Sequence, residues 1–93
     1  MTMPLYALIC TDKPGALPTR LANREAHLAY IKATGAVLQA GPFLDGAGQM
    51  AGSLLILDLP DLAAAQAWAA GDPYAKAGLF SAVRLEAWKK VIG

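Results

Sequence analysis

At 93 residues the chain has room for one domain built on one hydrophobic core, and not for two. Its hydrophobic content, 56%, is high for that length and its charged content, 16%, is low, so part of the apolar surface is expected to be buried against another copy. A net charge of +1, with no Lys/Arg cluster and no aromatics interleaved with basic residues, gives no field for recruiting nucleic acid or an anionic membrane.

Cys10 is the single cysteine, which excludes an intrachain disulfide and a CxxC metal pair. One cysteine and one histidine do not make a usual zinc site, and a lone Cys in a strand reads as a small buried hydrophobe. No metal, nucleotide or flavin motif is present, so no cofactor is expected. The apolar runs fall far short of the ~20 residues of a membrane span, and no basic segment precedes an apolar one at the N-terminus. A soluble cytoplasmic protein is the expectation.

Residues 5–11 (LYALICT) read as a first strand, followed by turn chemistry at Asp12-Lys13-Pro14-Gly15. Pro18 and Thr19 open a helix that Gly35 ends, as a residue able to take a positive φ beyond the last turn. Residues 37–43 (VLQAGPF) read as a second strand, at an edge or breaking up near Pro42, which has no N–H to give to a ladder. Asp45-Gly46-Ala47-Gly48 is a hairpin loop and residues 52–58 (GSLLILD) a third strand. Asp61 caps a second helix over residues 62–70, ended by Gly71. Asp72-Pro73 reads as the cap and first position of a short third helix stopped by Gly78. Residues 81–91 alternate as a fourth strand, with Val83, Leu85 and Ala87 on one side and Arg84, Glu86 and Trp88 on the other.

The order β-α-β-β-α-β predicts a ferredoxin-like α+β fold: a four-stranded antiparallel sheet with its helices on one face. Strands one and three are apolar on both sides, where a sheet with one wet face alternates. Dimerisation through the free sheet face is therefore expected, with Trp88 and Phe80 available to a higher assembly.

The first helix carries the candidate chemistry. On a wheel of ~100° per residue, Leu17, Leu21, Leu28 and Ile31 form an apolar stripe, with Arg24 inside it and Arg20 and His27 along its edge. Cations beside a core-facing stripe point to a partly buried polar pocket. His27 is a candidate general acid/base, since imidazole changes charge near neutrality; the competing reading is a packing histidine. Asp72 is a candidate to orient that ring, or an ordinary helix cap. Arg20 and Arg24 are candidates for clamping a planar anion, or for ion pairs with Glu25, Asp12 or a partner chain. Gly41-Pro42 and Gly52-Ser53 flank the central hairpin, where glycine permits close approach and Ser53 offers a hydroxyl. Tyr74 and Trp68 are aromatic candidates for a pocket wall or for the core. A further alternative removes Met3 to expose Pro4 as an N-terminal amine base.

The ordered set formed by residues 6–17 (YALICTDKPGAL), Arg20, Arg24-Glu25-Ala26-His27-Leu28, Ala40-Gly41-Pro42, Gly52-Ser53 and Asp72-Pro73-Tyr74 resembles the YciI-like (YCII-related) family along nearly the whole chain. The resemblance implies a ferredoxin-like fold dimerising through its sheets, as in the dimeric α+β barrel group. It also implies an active site around a His and an Asp, here His27 and Asp72. The family includes dehydrochlorinase chemistry in chloroaromatic breakdown, and its fold relatives include muconolactone isomerases and small monooxygenases. The leading expectation is a cofactor-free lyase, isomerase or dehydrochlorinase-like enzyme. It moves a proton with His27 and Asp72 on a small anionic, aromatic-derived substrate held by Arg20 or Arg24 with Ser53, Gly41, Pro42 and Tyr74. The alternatives are a non-catalytic ligand-binding or accessory module, and a structural oligomer without a pocket function.

Overall fold

The computed structural model describes residues 4–93 as β1 (Leu5–Asp12), α1 (Leu17–Thr34), β2 (Val37–Leu44), β3 (Met50–Leu57), α2 (Leu62–Gly71), α3 (Pro73–Lys76) and β4 (Phe80–Trp88). The four strands form one antiparallel sheet in the order β2-β3-β1-β4, the ferredoxin-like arrangement. The two strands whose sequences are apolar on both sides, β1 and β3, are the two central ones. Pro42 lies on the edge strand β2, which runs through it to Leu44 with register shifts near each end. Strand β3 begins at Met50, two residues before the sequence expectation, and β4 stops at Trp88 rather than 91. The alternative built on Pro4 as an N-terminus turns on Met3, which lies outside the described residues.

Alternation along the strands sorts the sheet into two faces. Tyr6, Leu8 and Cys10 of β1 and Leu55 and Leu57 of β3 point toward the helices, where they form the core with Ala36, Ala65 and Trp68. Leu85 of β4, opposite Leu8, packs on the edge of that core. The other face carries Ala7, Ile9, Leu54 and Ile56 along its centre, with Phe43 and Trp88 toward its edges. On it Leu54, Phe43 and Trp88 are exposed, Ile9 is half-buried, and Ala7 and Ile56 are buried among their neighbours. No helix among the described residues is long and apolar enough to cross a membrane.

The helix ends follow the expected chemistry in part. Gly35 takes φ 62° and returns its N–H to Ile31 O, the left-handed cap foreseen from sequence. Asp61 Oδ1 accepts from Ala64 N at 2.8 Å and caps α2. Gly71 has ordinary backbone dihedrals; its lack of a side chain serves close packing instead. A Cβ there would lie 2.6 Å from the hydroxyl of Tyr30, which donates to Trp68 O. Gly52 is tighter still, because a Cβ on it would lie 2.4 Å from the backbone carbonyl oxygen of Cys10 on the neighbouring strand. A Cβ at Gly41 would meet nothing within 4 Å.

These contacts separate the glycines in a melting experiment. Gly52→Ala forces β1 and β3 apart beside the site and is expected to cost on the order of 2 kcal/mol or more, whereas Gly41→Ala should leave the monomer's fold within about 0.5 kcal/mol of wild type. Equal melting temperatures for the two variants would contradict this reading. A second outcome concerns Cys10, which is 1% exposed. Burial first, and the Asp72 carboxylate second, push its thiol up from 9.0 to about 12. The native protein should therefore resist thiol-modifying reagents at pH 8 and react promptly once unfolded. Because the folded pKa is the higher one, the linked stability is complete below about pH 9 and is lost as pH rises toward 12. Denaturant midpoints across that window test the sign.

Candidate functional site

Helix α1 turns a different arc inward from the one its leucines suggest. Leu21 is 55% exposed and Leu28 48%, while Arg20 and His27 are buried. The expected core-facing stripe is corrected by that observation. The helix lies over a polar cavity, and its two buried ionisable side chains each meet a buried carboxylate. Leaving those groups buried and unpaired costs more than exposing two leucines.

His27 and Asp72 stand 45 residues apart in sequence and meet at 2.8 Å, His27 Nδ1 to Asp72 Oδ1, with Asp72 wholly buried. Asp72 is also the cap of α3, and the same Oδ1 accepts from Tyr74 N at 3.0 Å. The two duties therefore share one oxygen, and Oδ2 is buried without a hydrogen-bond partner. With the ionised carboxylate as acceptor, Nδ1 carries the proton, and Nε2 is left as the basic nitrogen. Nε2 has no hydrogen-bond partner among the described residues, and His27 lines the cavity. The imidazole lies flat against the Tyr74 ring, centroids 3.9 Å apart and planes 15° from parallel, which fixes its plane.

A second carboxylate holds Arg20. Arg20 Nε donates to Asp12 Oδ2 at 2.7 Å and Nη2 to Asp12 Oδ1 at 2.9 Å, a bidentate pair at the end of β1. Nη2 also donates to Ser53 Oγ on β3 at 2.9 Å, and the guanidinium lies 4.8 Å from the centre of the Tyr74 ring. Burial alone would lower the Arg20 pKa; the hydrogen bonds to Asp12 and its charge overcome this and raise it. Burial likewise raises the Tyr74 phenol above its ordinary range, against the pull of Arg20 and Arg24, so it stays neutral at physiological pH. Of the two readings open for Arg20, the geometry is the ion pair with Asp12.

These side chains surround a cavity of about 160 Å³ whose polar lining groups are Arg20, Arg24, His27, Ser53 and Tyr74. Leu28, Ile31, Ala40, Gly41, Pro42 and Met50 supply the other lining groups, so the lining mixes polar and apolar groups. Arg24, exposed at the rim, has no carboxylate partner among the described residues. Of the sequence candidates, Arg20, Arg24, His27, Gly41, Pro42, Ser53 and Tyr74 line this cavity, Asp72 touches it through His27, and Gly52 is not among the lining residues. Trp68 lies in the core, donating to Thr34 Oγ1, and is not a wall. Met50 falls between the expected hairpin loop and the expected third strand and carries no reading from sequence, and Asp12 is read only as a turn residue or as a surface partner of Arg20. The signal for Asp12 is that an arginine beside a core needs a buried counter-ion. Among the described residues no group of three His, Cys, Asp or Glu side chains is gathered to hold a metal ion.

Residues 4–89 match the YCII-related domain. Protein YciI of Escherichia coli is 41% identical over 96 residues, spanning 94% of this chain and 98% of that protein. Among solved structures, 5-chloro-2-hydroxyhydroquinone dehydrochlorinase (TftG) from Burkholderia phenoliruptrix, in complex with 2,5-dihydroxybenzoquinone, superposes with a TM-score of 0.84 at 36% identity. The likeness covers 91% of this chain and 93% of that one. A Pseudomonas aeruginosa structure at 18% identity, covering 99% and 98% of the two chains with a TM-score of 0.60, shares the fold alone. The chain belongs to the YCII-related (YciI-like) family.

Proposed function

We propose that this protein is a cofactor-independent, dehydrochlorinase-like enzyme of the lyase or isomerase kind, with His27 as its acid/base and Asp72 orienting the imidazole. The observation that carries the reading is the buried His27–Asp72 pair, whose second imidazole nitrogen has no partner among the described residues and lies at the cavity. The cavity's volume is about what one benzene-sized ring needs. Its mixed apolar and polar lining suits a small ring bearing oxygens. Arg24, the rim cation without a carboxylate partner, is the group that holds an anionic oxygen, in preference to Arg20.

The chemistry needs only protons. Nε2 takes a proton from a ring hydroxyl, and the freed electron pair moves into the ring. The imidazolium then returns a proton to a ring carbon, which gives a ketone tautomer. Where that carbon bears chlorine, loss of a second hydroxyl proton sends its electron pair through the ring. Chloride leaves with the bonding electrons, so the net loss is HCl and no oxidant is consumed. The likeness to TftG supports the halide version; the proton steps stand on the site itself.

We also propose that two copies pack through the sheet face opposite the helices. Leu54, Phe43 and Trp88 there are each 36–43% exposed around a central strip of Ala7, Ile9 and Ile56. An apolar sheet face of this kind is where a second layer belongs.

Chloride release from 5-chloro-2-hydroxyhydroquinone by the purified protein tests the reaction. Wild type should release chloride, and His27→Asn should lower kcat on the order of 10²- to 10⁴-fold while the fold persists by circular dichroism. Unchanged release in His27→Asn sinks the mechanism. Ring binding without release by wild type favours a non-catalytic ligand-binding module. For the assembly, wild type should sediment as a dimer, and Leu54→Glu should sediment as a folded monomer. A monomeric wild type at tens of micromolar would refute the interface.

A further inference from the structure

Ser53 is 3% exposed, lines the cavity, and sits on β3 between the buried strand and α1. A hydroxyl has one proton to give and two lone pairs to share. One lone pair receives Arg20 Nη2 at 2.9 Å. Among the described residues no group accepts the proton of Ser53. A buried donor left in this way, beside a cavity, is a donor waiting for a ligand oxygen. Its strength is raised by what stands behind it. Asp12 holds Arg20 at two points, and the charged guanidinium polarises the hydroxyl whose oxygen it contacts.

The same cavity therefore has two chains of hydrogen bonds ending in it. Asp72 and His27 end in a basic nitrogen, which takes a proton. Asp12, Arg20 and Ser53 end in a hydroxyl, which gives a hydrogen bond. A substrate that uses both must have a protonated oxygen at one position and an oxygen that gains negative charge at another. As the first oxygen loses its proton to His27, conjugation through the ring moves charge onto the second, where a preorganised donor counts most.

We propose that Ser53 is the oxyanion donor of this site, that Asp12 and Arg20 are its positioning residues, and that the site selects rings carrying two conjugated oxygens over rings carrying one. This rests on the reading of His27 as the base. The hydrogen bond is made to the substrate without any covalent change at Ser53.

Two probes test it by calorimetric titration of the full chain: 2,5-dihydroxybenzoquinone, with oxygens for both groups, and 4-chlorophenol, with one. Wild type should prefer the quinone. Ser53→Ala should weaken the quinone roughly ten- to hundredfold while leaving the phenol within about twofold. A loosened pocket would weaken both probes together, so the ratio of the two affinities is the readout that a merely structural role does not move. If Ser53→Ala fails to fold, Ser53→Cys keeps the shape with a weak donor and should show the same loss of ratio. An unchanged ratio in the folded variant overturns the proposal. If that happens while chloride release still depends on His27, only the role of Ser53 falls. If neither probe binds wild type, both the role of Ser53 and the reading of the cavity fall.

Discussion

Helix α1 is held to the rest of the molecule by two buried carboxylates. Asp12 at the end of β1 takes Arg20, and Asp72 at the head of α3 takes His27, two turns further along the helix. A helix on a sheet ordinarily docks by its apolar stripe. Here the docking arc is polar, and two leucines are left at the surface. The sheet supplies Ser53 and the aromatic wedge Tyr74 completes the support, touching both His27 and Arg20. The rotation and depth of α1 follow from where those carboxylates stand.

That constraint explains the division of labour between the ends of the helix. Toward its C-terminus the packing is conventional: Tyr30 and Ile31 meet the core beside Trp68, and Gly71 leaves space for the Tyr30 hydroxyl. Toward its N-terminus the apolar core gives way to ion pairs and the cavity. The cavity thus lies between a region fixed by packing and a region fixed by charge, a setting in which side-chain positions are closely determined.

Most of the fold was legible because the strands and caps obey local rules. Short apolar runs mark the strands, Pro42 fits the edge strand it lies on, and Gly35 and Asp61 mark helix ends. The site was legible in its membership and less so in its wiring. Arg20, Arg24, His27, Ser53, Tyr74, Gly41 and Pro42 line one cavity and Asp72 backs it. The direction of α1 was misread because a helical wheel weighs apolar residues and knows nothing of distant counter-ions. Asp12 looked like turn chemistry because its partner contacts depend on how β1 ends beside α1. Gly71 looked like a stop signal, whereas its purpose is set by a tyrosine 41 positions earlier in the chain. No local pattern encodes such contacts.

The two anchors also bear on how the molecule assembles. Each joins α1 to a segment that is separate in sequence, and Asp72 is in place only when α2 has ended and α3 has begun. A chain with α1 docked but α3 unformed would hold an imidazole without its carboxylate, and one with β1 frayed would hold a buried guanidinium without its counter-charge. The second is unfavourable by several kcal/mol for its unpaired charge, and the first leaves a buried imidazole N–H without its acceptor. The wiring of the site therefore penalises half-folded states, and it makes the docking of α1 an all-or-none event shared by both ends of the chain.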